Sequence, residues 1–376
     1  MTMKKFIPIN VSSKFAICGL PIRVDTYKGC SHGCRYCFAN ERKIMEFKKT
    51  VSLGDLDWVE RKLQKIFGGN SDPTNFLERL ILEGITWHCG GMSDPFQPIE
   101  EEFQITKKLV DITSLFGISI LFSTKGFSTY GVDLNPELHT FQFSITNIEN
   151  RNDLEPFVAN IEARYALYKT LKSRGFKCGI RVQPFIPGIT KINIVEKFKD
   201  ADYFTLEGLK LVPQNKEHKE YLLNLLGLQG SDFRQMGLLN LHPEIRKEMY
   251  REFIAELERF NVPYSLADND FHHISSGACC CGDPLVKKST TFNNTAMCKK
   301  YGTDYSKENL LDELQGIGDC VCNSLFTSNR QEGGFFDYFN ERTCKTVREF
   351  YEQRFNRASS PFSPQFLYRK NEEVLF

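Results

Sequence analysis

No run of apolar residues in this 376-residue chain approaches the roughly 20 that a helical membrane span needs, and no membrane partner is expected. Lys4 and Lys5 are not followed by an apolar stretch of the kind that directs secretion, so a small disulfide-stapled extracellular scaffold is not expected either. An excess of charge is missing too: 48 Lys and Arg against 47 Asp and Glu leave a formal net charge of +1. Phosphate recognition draws its affinity from clustered Lys and Arg. The balance therefore weighs against a broad nucleic-acid footprint and leaves room only for a local basic groove. Internal repeats and low-complexity segments are absent. The expected setting is a reducing cytoplasm in which thiols bind metal.

Cysteine is not scarce, and its placement carries the argument. Of thirteen cysteines, three fall within 30–37 and seven between 279 and 344, while Cys18, Cys89 and Cys178 stand alone. Residues 28–40 read KGCSHGCRYCFAN, with Cys30, Cys34 and Cys37 at a C-x3-C-x2-C spacing. A short loop can curl three thiolates round one inorganic core. What the loop lacks is a fourth cysteine. Structural zinc takes four protein ligands, whereas a 4Fe–4S cube held by three cysteines keeps one iron open to a small molecule. The competing reading of these residues is a zinc knuckle.

With Tyr36 before the last cysteine and Phe38 after it, the loop resembles the signature of the radical S-adenosylmethionine (SAM) superfamily. The phrase GCSHGCRYCFA at 29–39 resembles the spore photoproduct lyase-like, or DNA-repair photolyase-like, subgroup. That resemblance implies a 4Fe–4S cluster on Cys30, Cys34 and Cys37 whose open iron chelates SAM. One electron then splits the sulfonium and releases a 5′-deoxyadenosyl radical that abstracts hydrogen from a substrate. A reductant such as flavodoxin or ferredoxin is implied.

Length favours one large domain with an appendage. Strands are expected near 15–25, 85–89, 118–122, 139–145, 178–185, 203–211 and 262–267, behind a polar lead-in at 1–14. Helices are expected at 57–67, 98–116, 164–174 and 243–260. Their apolar stripes run through Val59, Leu63 and Ile66; Ile105, Leu109, Ile112 and Phe116; and Ile245, Met249, Phe253 and Leu257, at helical spacing. Alternating strands and helices imply parallel pairing through right-handed crossovers. Seven units are too few for a closed eightfold barrel. The α/β partial (β/α)6 TIM-like barrel that the resemblance implies fits better, over residues 1–270. Chemistry in such barrels gathers at the strand C-terminal ends, where the unusual loops of this sequence fall.

For the SAM site, the resemblance points to Gly90 and Gly91, whose carbonyls would face the ammonium. They occupy the place of the family's Gly-Gly-Glu, but no Glu follows, and Ser93 or Asp94 is expected to supply the polar contact. Lys125 and Ser144 follow the next two strands, where the subgroup places a Lys and a Ser. Arg181 is expected to meet the SAM carboxylate and Gln183 the ribose, with Tyr36 and Phe38 near the adenine or the cluster. The hydrogen donor or acceptor is not legible; Tyr203, Tyr264 and Cys178 are barrel-facing candidates.

From residue 271 to 376 the chain reads as a loop-rich, cysteine-rich extension, with no regular structure assigned over 287–318, a helix over 344–355 and an extended strap from 358. An auxiliary metal site is expected there, drawing on Cys279, Cys280, Cys281, Cys298, Cys320 and Cys322. A second 4Fe–4S cluster is the first choice and zinc the alternative; His272 and His273 beside it read first as satisfied surface histidines, with a fourth-ligand role as the alternative. The expected function is hydrogen abstraction from a peptide, protein or other large substrate. The alternatives are nucleic-acid base modification or lesion repair, and a non-catalytic iron–sulfur or zinc protein that binds nucleic acid.

Overall fold

The computed structural model describes residues 5–12, 15–41, 51–212, 216–236, 238–268, 270–321 and 345–356. Its central sheet has eight strands: β1 (Ile9–Val11), β2 (Ile22–Val24), β3 (Trp87–Cys89), β4 (Ile120–Thr124), β5 (His139–Ser144), β6 (Cys178–Phe185), β7 (Phe204–Gly208) and β8 (Tyr264–Leu266). Spatial order follows chain order, with β1 antiparallel to β2 and every other neighbouring pair parallel. A parallel sheet that grows in one direction through right-handed crossovers receives its helices on one face. The other face is left to curl inward. The expected partial barrel is thus observed, and β1 and β8 are the two ends of the strand order.

The outer face carries α1 (Leu56–Lys65), α2 (Phe76–Leu82), α3 (Ile105–Leu115), α4 (Ile161–Ser173) and α5 (Asn193–Lys197); α6 (Lys216–Leu226) instead packs Leu222 and Leu226 beside Cys34 and Tyr36, and α7 (Pro243–Arg259) returns to the outer face. Side-chain alternation divides the strands. Trp87, Phe122, Phe141, Phe143, Ile180, Val182, Phe204 and Leu206 point outward into one buried core. Each such residue contributes about 1.5–3 kcal/mol by leaving water. Arg23, His88, Ser123, Gln142, Arg181, Thr205 and Ser265 hold the alternate, inward positions.

Several elements differ from the sequence reading for identifiable reasons. The supposed lead-in contains β1, whose Ile9 and Val11 are buried. The helix expected over 98–116 is broken at Gln104 (φ +50°). The buried Glu100 carboxylate accepts from Thr106 N and Lys107 N, both at 2.9 Å, and so begins α3 afresh. On α7 the buried face is Arg246, Tyr250, Phe253 and Leu257, turned from the expected stripe because Arg246 has acidic partners inside. The stretch 287–318 is not irregular. It contains α8 (Asn294–Tyr301) and α9 (Lys307–Leu314), N-capped by Asn293 and Ser306. With α10 (Val347–Phe355), these helices send Met297, Leu310, Leu314, Phe350 and Tyr351 into the barrel's outer core. Helices of eight residues carry too few apolar positions to declare a period.

Candidate active site

The cysteine loop leaves β2 and lies across the C-terminal mouth of the barrel, clamped from two sides. From the segment after β3, the Gln97 amide donates to Gly29 O (3.0 Å) and accepts from Ser31 N (2.7 Å). Asp94 Oδ2 meets His32 Nε2 at 3.1 Å. From the segment after β5, Leu154 O accepts from Arg35 N (2.8 Å), Thr146 Oγ1 lies 3.1 Å from the Tyr36 hydroxyl, and Glu155 accepts from that hydroxyl. Burial pushes the Cys30 thiol up to about 12, with Asp94 adding to the effect. Cys34 is pushed well up by burial, with Lys125 opposing and Glu155, Cys37 and Cys30 adding. Thiols this shielded need a cation to become thiolates, which a metal centre provides.

The donor set fits an iron–sulfur cluster. Three cysteines on one short loop, without a fourth beside them, can hold three irons of a cube and leave one iron open. The one histidine in the loop is already paired with Asp94. Buried polar atoms near the mouth, among them Ser31 Oγ, Asn147 Nδ2 and Arg164 Nε, have no hydrogen-bond partner. Buried polar atoms are seldom left so, and ordered water, an ion or a ligand can satisfy them.

Gly90 (φ +99°) lies so near β4 that a Cβ there would stand 2.3 Å from Ser123 O. Ser93 and Asp94, expected to touch SAM, are engaged in holding the scaffold. Ser93 Oγ donates to Tyr27 O at 2.5 Å. Asp94 also accepts from Phe96 N (2.9 Å), Thr124 Oγ1 (2.7 Å) and Lys125 N (2.6 Å). Burial opposes its ionisation, but His32 and these donors hold its carboxyl below the ordinary range. Lys125 Nζ pairs with Glu155 Oε1 (2.8 Å), reaches Ser144 O (3.4 Å) and lies 5.5 Å from the centre of the Tyr36 ring. Arg164 flanks the same carboxylate at 3.6 Å and donates to Ser144 O at 3.2 Å. Ser144 therefore enters through its carbonyl. Arg181 is bound to Glu207 Oε2 (2.9 Å), Gln142 Oε1 (3.3 Å) and Gln183, so Arg181 and Gln183 hold each other at the far side of the mouth. Phe38 lines a small cavity with Tyr36, Lys210 and His218.

His32, Gln97, Glu155 and Arg164 escaped sequence reasoning. Each is an ordinary polar residue in a loop or helix without a motif. Of the candidate hydrogen donors, Cys178 does not face the barrel interior but joins the outer core. The Tyr264 hydroxyl meets Glu258 Oε1 at 3.2 Å, and the Tyr203 hydroxyl donates to Tyr264 O at 3.0 Å.

Cys279, Cys280 and Cys281 enter the barrel from its other end and lie together with Cys18. Cys298 and Cys320 are not brought to them: Cys298 lies against Asn294 and in the field of Tyr305, and Cys320 beside Pro73 O. Cys322 and Cys344 lie outside the described residues. His272 Nδ1 is engaged by Leu266 O (2.9 Å) and Ser275 Oγ (3.2 Å), which fixes the orientation of its ring.

Fold and site together define an α/β partial barrel with a three-thiol loop across its mouth. Spore photoproduct lyase has this fold. One solved variant aligns with a TM-score of 0.52 at 16% identity, over 70% of this chain and 80% of that one. Another, described with bound AdoMet and dinucleoside spore photoproduct, aligns with a TM-score of 0.50 at 17% identity, over 70% and 81%. At such identity the likeness is one of fold, and it agrees with the resemblance drawn from the cysteine loop. An uncharacterised protein of Methanocaldococcus jannaschii is 25% identical over 224 residues, 57% of this chain and 79% of its own. One of Mycobacterium tuberculosis is 24% identical over 182 residues, 46% of this chain, and the match spans about half (52%) of the mycobacterial protein. No protein-family model matches the chain.

Proposed function

We propose that this protein is a radical SAM enzyme that abstracts hydrogen from a substrate docked at the barrel mouth. The observation that carries the reading is the placement of Cys30, Cys34 and Cys37. All three lie on a loop clamped across the C-terminal ends of parallel strands, with Ser31 Oγ and Asn147 Nδ2 left for a ligand. Cys30, Cys34 and Cys37 would hold a 4Fe–4S cluster. Gly90, Gly91, Ser31 and Asn147 would bind SAM. When bound, these groups supply one-electron cleavage of the sulfonium and a carbon radical that takes hydrogen from substrate. Glu155 orients Tyr36 and Lys125 beside Cys34, and Asp94 fixes His32, so the loop is built before any cofactor arrives. A donor such as flavodoxin or ferredoxin would supply the electron.

The segment 279–285 fills the lower barrel, so a substrate has to be met at the rim rather than enclosed. Exposed aromatics follow both rim segments: Phe127 is 45% and Phe157 is 68% exposed. We infer a polypeptide ahead of a nucleic-acid base, because the near-neutral charge offers little to a phosphate backbone.

Anaerobic reconstitution tests the reading. Reduced protein with SAM is expected to release 5′-deoxyadenosine, and Cys30→Ala, Cys34→Ala or Cys37→Ala to release none. Zinc in the loop, or no 5′-deoxyadenosine from iron-loaded protein, overturns it. Deuterium transfer from labelled peptide or labelled oligonucleotide to 5′-deoxyadenosine separates the two substrate classes.

A further inference from the structure

Inside the barrel, opposite the mouth, lies a second collection of thiols that the SAM site does not use. Residues 279–281 thread the concave face with their backbone pinned to three strands. Thr205 Oγ1 of β7 donates to Cys280 O (2.7 Å), Gln142 Nε2 of β5 to Cys281 O (3.4 Å), and Ser265 Oγ of β8 to Cys279 O (3.4 Å). The Asp283 carboxylate accepts from Ala278 N (2.9 Å) and Cys279 N (3.0 Å), which fixes the turn from below. At Gly282 (φ +94°) any Cβ would fall 2.5 Å from the Tyr203 ring, so only glycine lets the run enter. The Cys279 and Cys281 side chains are buried in one cluster with Cys18, and Cys280 packs against it. The Cys18–Gly19 segment closes the group from the β2 side: a Cβ on Gly19 would stand 3.1 Å from Cys279 Sγ.

Buried cysteines usually act as small hydrophobes, and a core of thiols alone would call for nothing more. This group is set among cations. Arg23 places NH2 3.4 Å from Cys18 Sγ and lies in the field of Cys281 and Cys280. Arg181, paired with Glu207 at 2.9 Å, lies in the wider field of Cys281 and Cys280. Arg23 has no carboxylate at ion-pair distance among the described residues. Its other side-chain partner is His88, and the neighbouring Asp25 is engaged by Met92 N (3.0 Å) and Ser93 N (3.1 Å). A shielded guanidinium calls for an anion. An all-thiolate metal centre carries net negative charge, which the Arg23 guanidinium, without a carboxylate partner among the described residues, would offset.

We propose that Cys18, Cys279, Cys280 and Cys281 form a second, all-thiolate metal centre inside the barrel, flanked by Arg23. Metal binding would release the thiol protons to solvent. Cys18 is the ligand that sequence order conceals, since it lies some 260 residues from the rest and comes near only through the curl of the sheet. The assignment does not rest on the SAM reading.

The test uses the full chain with Cys30→Ala, Cys34→Ala and Cys37→Ala together, so that the mouth loop binds nothing. It is loaded anaerobically with ferrous iron and sulfide, and separately with zinc, then desalted and counted. Retention of about four irons with sulfide, or of about one zinc, supports the centre and says which kind it is. Adding Cys18→Ser or Cys281→Ser should lower retention at least fivefold, and Cys298→Ser should leave it unchanged. X-ray absorption at the metal edge should show a sulfur-only first shell, a readout that does not require the added variants to fold. Less than one metal of either kind in a chain whose circular dichroism is native overturns the proposal. So does retention indifferent to both added changes, or a first shell of nitrogen and oxygen.

Discussion

Gly90 and Gly84 both adopt positive φ, +99° and +73°, yet their surroundings are opposite. Nothing lies within 4 Å of a Cβ built on Gly84, whereas one built on Gly90 meets Ser123 O at 2.3 Å and Pro95 Cδ at 3.0 Å. Gly84→Ala should cost only about 1 kcal/mol, the backbone penalty alone. Gly90→Ala should cost about 3 kcal/mol or more and displace the segment that carries Asp94 and Gln97. Urea unfolding of the pair measures the difference, and equal midpoints would refute the close approach. Gly90 drew notice in the sequence only through its place in the family's Gly-Gly-Glu position, since a Gly-Gly pair alone reads equally as a plain turn; its close approach to β4 was not legible. The bracing role of Ser93 and Asp94 was not legible: a polar residue beside a cofactor motif reads as a ligand whether or not it also braces the loop. Glu155 gave no signal at all. Its cationic neighbours Lys125 and Arg164 come from other elements, and a lone Glu in a polar loop reads as solvated.

The cysteine loop is organised as an element by residues outside it. The fully buried Gln97 side chain serves Gly29 O and Ser31 N together, so Gln97→Leu, close in volume, removes both hydrogen bonds and leaves two backbone groups without partners. Each such loss costs about 1–3 kcal/mol, and it falls on the loop rather than on the sheet. The expected result is faster loss of loop-bound iron to a chelator, by about tenfold, with far-ultraviolet circular dichroism unchanged. Unaltered release kinetics would show that Gln97 does not brace the loop. Elements with long apolar periods were readable: Val59, Leu63 and Ile66 are all buried where the stripe of α1 put them. Period alone could not place Arg246 inside, since a guanidinium is buried only when distant carboxylates receive it. It also could not separate α8 and α9 from loop, because each relies on a cap and on a core supplied by the barrel.

For the whole molecule, alternation of strand and helix was enough to predict a parallel sheet with its chemistry at one end, because handed crossovers leave few other arrangements. What fills the concave face was hidden, since a segment that returns after the last strand has no local signature. The same long-range character governs the acidic network that ties the closing strands together. Glu207 pairs with Arg181 at 2.9 Å and with Lys210. Asp268 accepts from Gly208 N (2.9 Å) and the Tyr250 hydroxyl (2.5 Å), with Lys210 Nζ at 3.1 Å and Arg246 NH1 at 3.5 Å. Arg246 NH2 is also 2.5 Å from Asp270. β6, β7, α7 and the segment after β8 are thereby joined. Burial works against the Asp268 charge, but Lys210 and Arg246 prevail and hold its carboxyl at about 2, below the roughly 3.9 of an unfolded aspartate. A depressed folded pKa means that the unfolded chain takes up the proton first. The stabilisation is therefore complete above pH of about 4 and drains away as pH falls toward 2. Asp268→Asn should lower stability by about 3 kcal/mol at pH 7, because Lys210 and Arg246 keep less compensation. It should also flatten the acid limb, so that wild type and variant converge between pH of about 4 and 2. Urea unfolding across that range reads both effects. Parallel acid limbs would place the acid sensitivity of the barrel elsewhere and leave Asp268 a neutral hydrogen-bond acceptor.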